Sequence, residues 1–218
     1  MSEHLRFLLS PVYSGALHPA HRADLYASGL LRATIQTQKI RSVPIHMIDK
    51  LLGYASTTIQ HGYVIPFADP RGGWRSHVRM KVWGGDAKYL QPRGSGVRVY
   101  FPLAALEAVL HTDEELYVVE GEKKALAVAQ EGYAAVGICG IAGWRKPQTR
   151  ALHPDLDDVG LQGRRVKVIP DADATTNAFV RREVNLLSAA LIARGASVEV
   201  VRMPAGVKGV DDFLVTQQ

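Results

Sequence analysis

The sequence predicts an α/β protein: a mostly parallel, four-stranded sheet flanked by helices, preceded by a smaller α+β region. Three observations carry this. Two short β-branched runs, residues 116–120 and 166–169, each end abruptly in carboxylates, at Glu120 and at Asp171 with Asp173. From residue 116 onward strand-like runs alternate with helix-like ones, the β-α-β period of a parallel sheet. Between Tyr63 and Tyr100 the apolar alternation is instead interrupted by Asp69-Pro70-Arg71-Gly72-Gly73 and Gly84-Gly85-Asp86, turn signals that predict antiparallel hairpins.

Taken in order, residues 1–55 read as helical, with Leu25, Leu30, Leu31, Ile35, Ile48, Leu51 and Leu52 supplying apolar stripes. A short helix around Asp24 is expected to stop at Gly29. Strands follow at residues 63–67, 74–83 and 88–90. The first strand of the parallel sheet, 116–120, leads into a helix from Glu122 that ends near Gly132. A strand at 134–138 comes next, then a glycine turn at 140–144 and a short helix after Pro147. After the strand at 166–169, Asn177 opens a helix whose Val180, Val184, Leu187 and Leu191 recur at spacings of four, three and four, one apolar face. Gly195 ends it, and residues 197–202 form the last strand. The domain boundary is expected near residue 112, giving a region 1–112 and a region 113–218.

Composition bounds the function. With 218 residues, 47% hydrophobic and 22% charged, the chain resembles an ordinary globular protein with a full core. No apolar run approaches the roughly 20 residues that span a bilayer. The N-terminus has no apolar stretch with a cleavage site, so the expected location is cytoplasmic, with no membrane partner. A single cysteine, Cys139, excludes an internal disulfide and a cysteine-cluster zinc site; it reads as a small buried strand residue. His18-Pro19-Ala20-His21 offers only two ligands and reads as a polar loop.

Charge is uneven. Residues 1–112 hold 13 Lys and Arg against 6 Asp and Glu, and residues 113–218 hold 13 against 15. The basic half concentrates Arg71, Arg75, Arg79, Lys81, Lys88, Arg93 and Arg98 around Trp74, Trp83, Tyr89 and Tyr100. Cations neutralise phosphates and aromatic faces stack on unpaired bases, so the mixture suits single-stranded DNA. The bland alternative is a solvated basic face above aromatics that belong to the sheet's own core. In the acidic half, Glu120, Asp171 and Asp173 reach one sheet edge from two strands. Like charges so gathered are costly unless a cation sits between them, which points to a divalent metal. Alternate residues of an extended chain point the same way, so Asp171 and Asp173 are expected to face one ion, and hard oxygen ligands suit Mg²⁺ or Mn²⁺.

The ordered blocks Val118-Val119-Glu120-Gly121, Asp171-Ala172-Asp173 and residues 204–212 resemble the signature of the Toprim domain, shared by bacterial-type primases, topoisomerases and several nucleases. The fuller strings Glu120-Gly121-Glu122-Lys123-Lys124-Ala125 and Lys208-Gly209-Val210-Asp211-Asp212 are similar to uncharacterised Toprim proteins of phages and plasmids, found beside or fused to replication helicases. The resemblance implies a Rossmann-like Toprim fold for residues 113–218. It also implies that Glu120 binds metal and shuttles a proton, while Asp171 and Asp173 bind Mg²⁺. Glu122 is either a helper of that site or a helix-start acid, and Lys123 and Lys124 face either phosphate or solvent. Lys208 is a candidate phosphate contact, and Asp211 and Asp212 are either a supporting acidic motif or a helix cap. Ala174-Thr175-Thr176-Asn177 replaces the glycine that primases place after the aspartate pair. No zinc ribbon or Walker-type loop is present in the sequence. The expected function is a metal-dependent, primase-like nucleotidyltransferase of mobile-element replication. Its partners would be single-stranded DNA, nucleoside triphosphates and a candidate replicative helicase. A Toprim nuclease and a non-catalytic DNA-binding accessory that recruits a helicase are the alternatives.

Overall fold

A computed structural model describes residues 2–56 and 58–217. They form two compact units: residues up to 27 with 32–96, and residues 28–31 with 97 onward.

The first unit runs α1 (Ser2–Tyr13), α2 (Pro19–Ala27), α3 (Arg32–Thr37), β1 (Arg41–Val43), α4 (Ile45–Leu52), β2 (His61–Ala68), β3 (Trp74–Trp83) and β4 (Tyr89–Leu90). The strands pair antiparallel in the order β1-β2-β3-β4. A strand thus lies inside the stretch 1–55 that the apolar stripes predict to be helical; it is only three residues long, too short for its period to register. Strand periodicity splits β3 into two faces. Val78, Met80 and Val82 join one core with Leu5, Leu9 and Val12 of α1 and with Met47, Ile48, Leu51 and Leu52 of α4. The spacing of Leu5, Leu9 and Val12 is that of one helix face. Leu31, expected in an apolar stripe, is exposed.

On the opposite face of β3 lie Arg79, Lys81 and Trp83, opposite Ile65, Tyr63 and His61 of β2. Here His21, expected in a polar loop, proves otherwise. His21 sits on α2 at 2% exposure, its Nδ1 2.7 Å from Ser42 Oγ and its Nε2 2.8 Å from His61 Nδ1. Both rings stack on Trp83, at centroid distances of 5.1 and 4.8 Å. These residues come from four separate stretches of chain, so no sequence window contains the cluster.

The second unit contains α5 (Leu106–His111), β5 (Leu116–Glu120), α6 (Glu122–Gln130), β6 (Ala134–Ile138), β7 (Arg165–Ile169), α7 (Ala178–Ala193), β8 (Ser197–Val200) and α8 (Val210–Thr216). Its sheet is parallel throughout, in the order β6-β5-β7-β8. The β5-α6-β6 and β7-α7-β8 crossovers step outward in opposite directions. Right-handed connections therefore place α6 and α7 on opposite faces, as the alternating pattern predicts. Val180, Val184, Leu187 and Leu191 are all buried, and Asn177 caps α7 by accepting from the N–H groups of Phe179 and Val180.

Two expectations differ. Residue 112 lies inside this unit because the preceding chain is bound to its sheet. Tyr100 and Gly137 exchange two backbone hydrogen bonds of 2.8 Å at the β6 edge. Arg164 donates to the carbonyls of Ala108, Val109 and Glu114, binding the end of α5. No helix follows Pro147 directly. Arg145 bridges to Leu152, Lys146 donates its N–H to Ala151 O and accepts from Thr149 N in a tight turn, and Gln148 has φ +63°. A three-residue 3₁₀ turn, Pro154–Leu156, comes later.

Burial, reinforced by His61 and His18 and opposed by Asp24, pushes His21 down to about 4 from an ordinary 6.5. The folded chain therefore binds fewer protons than the unfolded chain between those values, and stability falls as pH drops from about 6.5 to about 4. Urea denaturation across that interval should show wild type losing at most about 1.4 kcal/mol per pH unit from this group, with a shallower fall in His21→Asn.

Candidate active site

Gly121 is where the second unit's chemistry begins. Its φ of +95° is accessible to glycine and strained for other residues. It lets β5 turn directly into α6, with Gly121 N donating to Ile138 O at 2.8 Å. Glu120 is thereby left at the carboxyl end of a central strand, with Lys124 on the first turns of the helix. The neighbouring strand β7 ends one residue before Pro170, delivering Asp171 to the same edge. That edge, between strands that lead off in opposite directions, is the topological switch point where ligands bind in open α/β sheets.

Asp171 is met there by Lys124, whose Nζ lies 2.9 Å from Oδ1 and 3.0 Å from Oδ2; only the Oδ2 contact has hydrogen-bond geometry. The third wall is the start of α8. Ala172 N donates to Lys208 O at 2.9 Å, fixing the 208–209 backbone against the Asp171 loop. Gly209 is needed for space: a Cβ there would collide with Lys124 Cε and lie 2.9 Å from Asp211 Oδ1 and 3.3 Å from Asp171 Oδ1. Asp211 is buried, and its Oδ1 has no hydrogen-bond partner among the described residues.

The electrostatics follow from this crowding. Burial, then Asp171 and Asp173, raise the Glu120 pKa, while Lys124 and the Ile141 N–H pull it down. Burial also raises Asp211, with Lys124 opposing. Burial works against the Lys124 charge, yet Asp171, Asp211 and Glu120 hold its pKa above the usual lysine value. Three carboxylates, those of Asp171, Asp211 and Glu120, thus share the field of one ammonium.

The site differs from the extended Asp-x-Asp reading. Asp171 is extended, but Ala172–Thr175 is a 3₁₀ turn, so Asp173 is exposed and the pair does not alternate along one strand. Among the described residues, no three His, Cys, Asp or Glu side chains are gathered closely enough to hold a metal ion. The donors still suit one in kind: they are hard oxygens, and Asp171 Oδ1 and Asp211 Oδ1 are buried atoms lacking a hydrogen bond. What stands against Asp171 is the Lys124 ammonium.

The remaining expected residues fall in several places. Glu122 is buried in the first turn of α6 and accepts from the Cys139 thiol at 3.0 Å. Cys139 is half-buried just past the end of β6. Lys123 is half-buried, while Lys208 and Asp212 are exposed or nearly so. In the first unit, Arg79 lies 5.0 Å from the centre of the Tyr89 ring, and Lys81 lies 4.8 Å from Trp83 and 5.3 Å from Tyr89. The Trp83 ring is already taken up by His21, His61 and Lys81. Arg71, Lys88 and Arg93 are exposed and Arg75 half-buried. Arg98 belongs to the second unit, where it pairs at 3.3 Å with Asp155, a buried acid that also accepts from Val99 N. Sequence reading missed Arg181 and Arg202, which line a cavity of about 360 Å³ with Pro170 and Thr175, flanking the Asp171 loop. Neither stands in a motif.

The parallel sheet in the order β6-β5-β7-β8, with acids at its switch point, gives the second unit a Toprim-type fold. Residues 107–218 match the family described as a domain of unknown function, DUF3854, and the chain belongs to that family. An uncharacterised protein of Picosynechococcus sp. (strain ATCC 27264 / PCC 7002 / PR-6) is 32% identical over 117 residues, covering 48% of this chain and 12% of that protein. The crystal structure of the Aquifex aeolicus primase, with its zinc-binding and RNA polymerase domains, matches with a TM-score of 0.69. Identity is 15%, over 99% of this chain and 57% of that one. A DnaG primase catalytic domain bound to single-stranded DNA matches with a TM-score of 0.68 and 18% identity, over 100% of this chain and 76% of that one. The fold is therefore that of primase catalytic cores. No helix among the described residues is long and apolar enough to cross a membrane.

Because Gly209 has no room for a side chain, Gly209→Ala should cost about 1–3 kcal/mol through overpacking. Differential scanning calorimetry should then show a thermal midpoint lower by roughly 2–10 °C.

Proposed function

We propose that this protein is a metal-dependent, primase-like nucleotidyltransferase that joins nucleotides on single-stranded DNA in the replication of a phage or plasmid. The observation that carries the reading is the extent of the fold match: 99–100% of the chain, both units included, follows primase catalytic cores. The Toprim acids lie at the edge where such a domain would do chemistry.

Glu120 and Asp171, joined by Asp173 from the 3₁₀ turn and supported by Asp211, would hold Mg²⁺ or Mn²⁺. When bound, such an ion neutralises charge developing at phosphorus and activates the attacking oxygen. Glu120, with its pKa raised by burial and by its acidic neighbours, is suited to take the proton from the attacking hydroxyl at its carboxylate. Arg181 and Arg202 offer guanidinium donors to nucleotide phosphates beside the Asp171 loop. In the first unit, Arg71, Lys88 and Arg93 supply exposed charge for a DNA backbone. Base stacking is assigned to Tyr89 in preference to Trp83, whose ring is engaged by two histidines. A replicative helicase is the partner proposed for template choice.

One observation favours a second reading. Asp171 is already neutralised by Lys124, and no three-ligand group is assembled among the described residues, which suits an accessory that binds DNA and recruits a helicase without catalysis.

Incubation of the protein with single-stranded DNA, labelled nucleoside triphosphates and Mg²⁺ or Mn²⁺ separates the two. Short new oligomers should form on the gel, and their yield should fall at least 100-fold in an Asp171→Ala, Asp173→Ala double variant. If neither protein extends or cuts DNA while both still bind it, the catalytic reading is overturned in favour of the accessory.

A further inference from the structure

The acids at the sheet edge come with a cation of their own. Lys124 and Asp171 are 47 residues apart, each side chain is 17% exposed, and they meet in a two-point contact at 2.9 and 3.0 Å. This is not a lysine resting on the surface: Gly209 packs against its Cε with no room for a Cβ between them, and the Asp211 carboxylate adds to the field that holds its charge. Its bond to Asp171 is its only hydrogen bond among the described residues. An ammonium and a divalent ion cannot share one carboxylate at this range without strong repulsion, because both are positive and little solvent lies between them. Yet Asp171 Oδ1 and Asp211 Oδ1, buried and without hydrogen bonds, are the oxygens a hard cation would seek.

We propose that Lys124 is a resident counter-ion that a divalent metal must displace from Asp171, so that the metal-free site is held closed by the chain itself. This rests on the metal reading given above. Lys124 acts as a positioning residue: it keeps Asp171 in place when no metal is bound and sets how much metal is needed to occupy the site. Removing its charge while keeping its stem leaves the acids uncompensated. They should then take a metal more tightly, whereas a lysine that merely braced the site would leave affinity the same or weaker once lost.

Mn²⁺ titration followed by electron paramagnetic resonance of the free ion, on the full chain, tests this in wild type and Lys124→Met. The variant is expected to bind Mn²⁺ at least tenfold more tightly. Its metal-free melting temperature should be lower than that of wild type, and saturating Mn²⁺ should raise it by more. Should Lys124→Met fail to fold without metal, the unaltered protein supplies an independent readout. The rate at which an amine-reactive acetylating reagent modifies Lys124, followed by peptide mass spectrometry, should rise several-fold when Mg²⁺ or Mn²⁺ is added. Equal or weaker Mn²⁺ binding by the variant, or labelling unchanged by metal in a protein that binds it, overturns the competition while leaving the metal site standing. Absence of Mn²⁺ binding in both proteins overturns the competition and the metal reading together.

Discussion

Lys124 and Asp171 bring together the parts of the second unit that the sequence keeps far apart. The ammonium comes from the helix that Gly121 launches, the carboxylate from a strand two crossovers later, and the space between them is bounded by the backbone of Gly209. Glu120, Asp173 and Asp211 add negative charge to the same edge, and burial raises the cost of that charge for Glu120 and Asp211. Without a positive group the edge would be held together against its own repulsion. A partly buried ion pair of this kind contributes less through attraction than its loss would cost, because removing one partner strands the other. The arrangement of β5, β7, α6 and α8 is therefore tuned to the presence of a cation, whatever its source.

The two units handle their charges differently. In the second, cation and acid neutralise each other at one point. In the first, Arg79 and Lys81 have aromatic faces beneath them, and the sheet's other side is closed by α1 and α4. Cations over rings keep their charge available to solvent and to an anion while their stems cover apolar surface. The first unit thus keeps its positive charge at the surface, while the second spends its own on internal acids.

How much of this was legible depends on the range of the interaction that decides each feature. The strands at 116–120 and 134–138, the helix from Asn177 and the hairpin at Asp69 rest on local patterns, and the structure has them where those patterns put them. Glu120 and Asp171 are strand-end residues, and strand ends are local, so their shared edge could be read. The turn at Ala172–Thr175 could not: its four residues carry no periodicity, and Asp173 left the strand direction there. The partner of Arg98 is Asp155, 57 positions on, and that of His21 is His61, 40 positions on. Lys124 belongs with these. Reading it as facing phosphate or solvent omitted the acid it touches because that acid lies on another strand.

The short segment 28–31 carries one last consequence. It is grouped with the second unit although 65 residues of the first unit, 32–96, follow it, and it is fastened to α6 by Gln130, which accepts from Leu31 N at 2.7 Å and donates to Gly29 O at 3.0 Å. The chain therefore visits the Toprim unit, leaves it, and returns. No single cut yields two whole parts: a fragment starting at the family match would lack this tether and also Tyr100, whose bridge to Gly137 pairs with the β6 edge. Fold integrity therefore depends on chain order as well as on contacts, because the first unit is inserted between two pieces of the second.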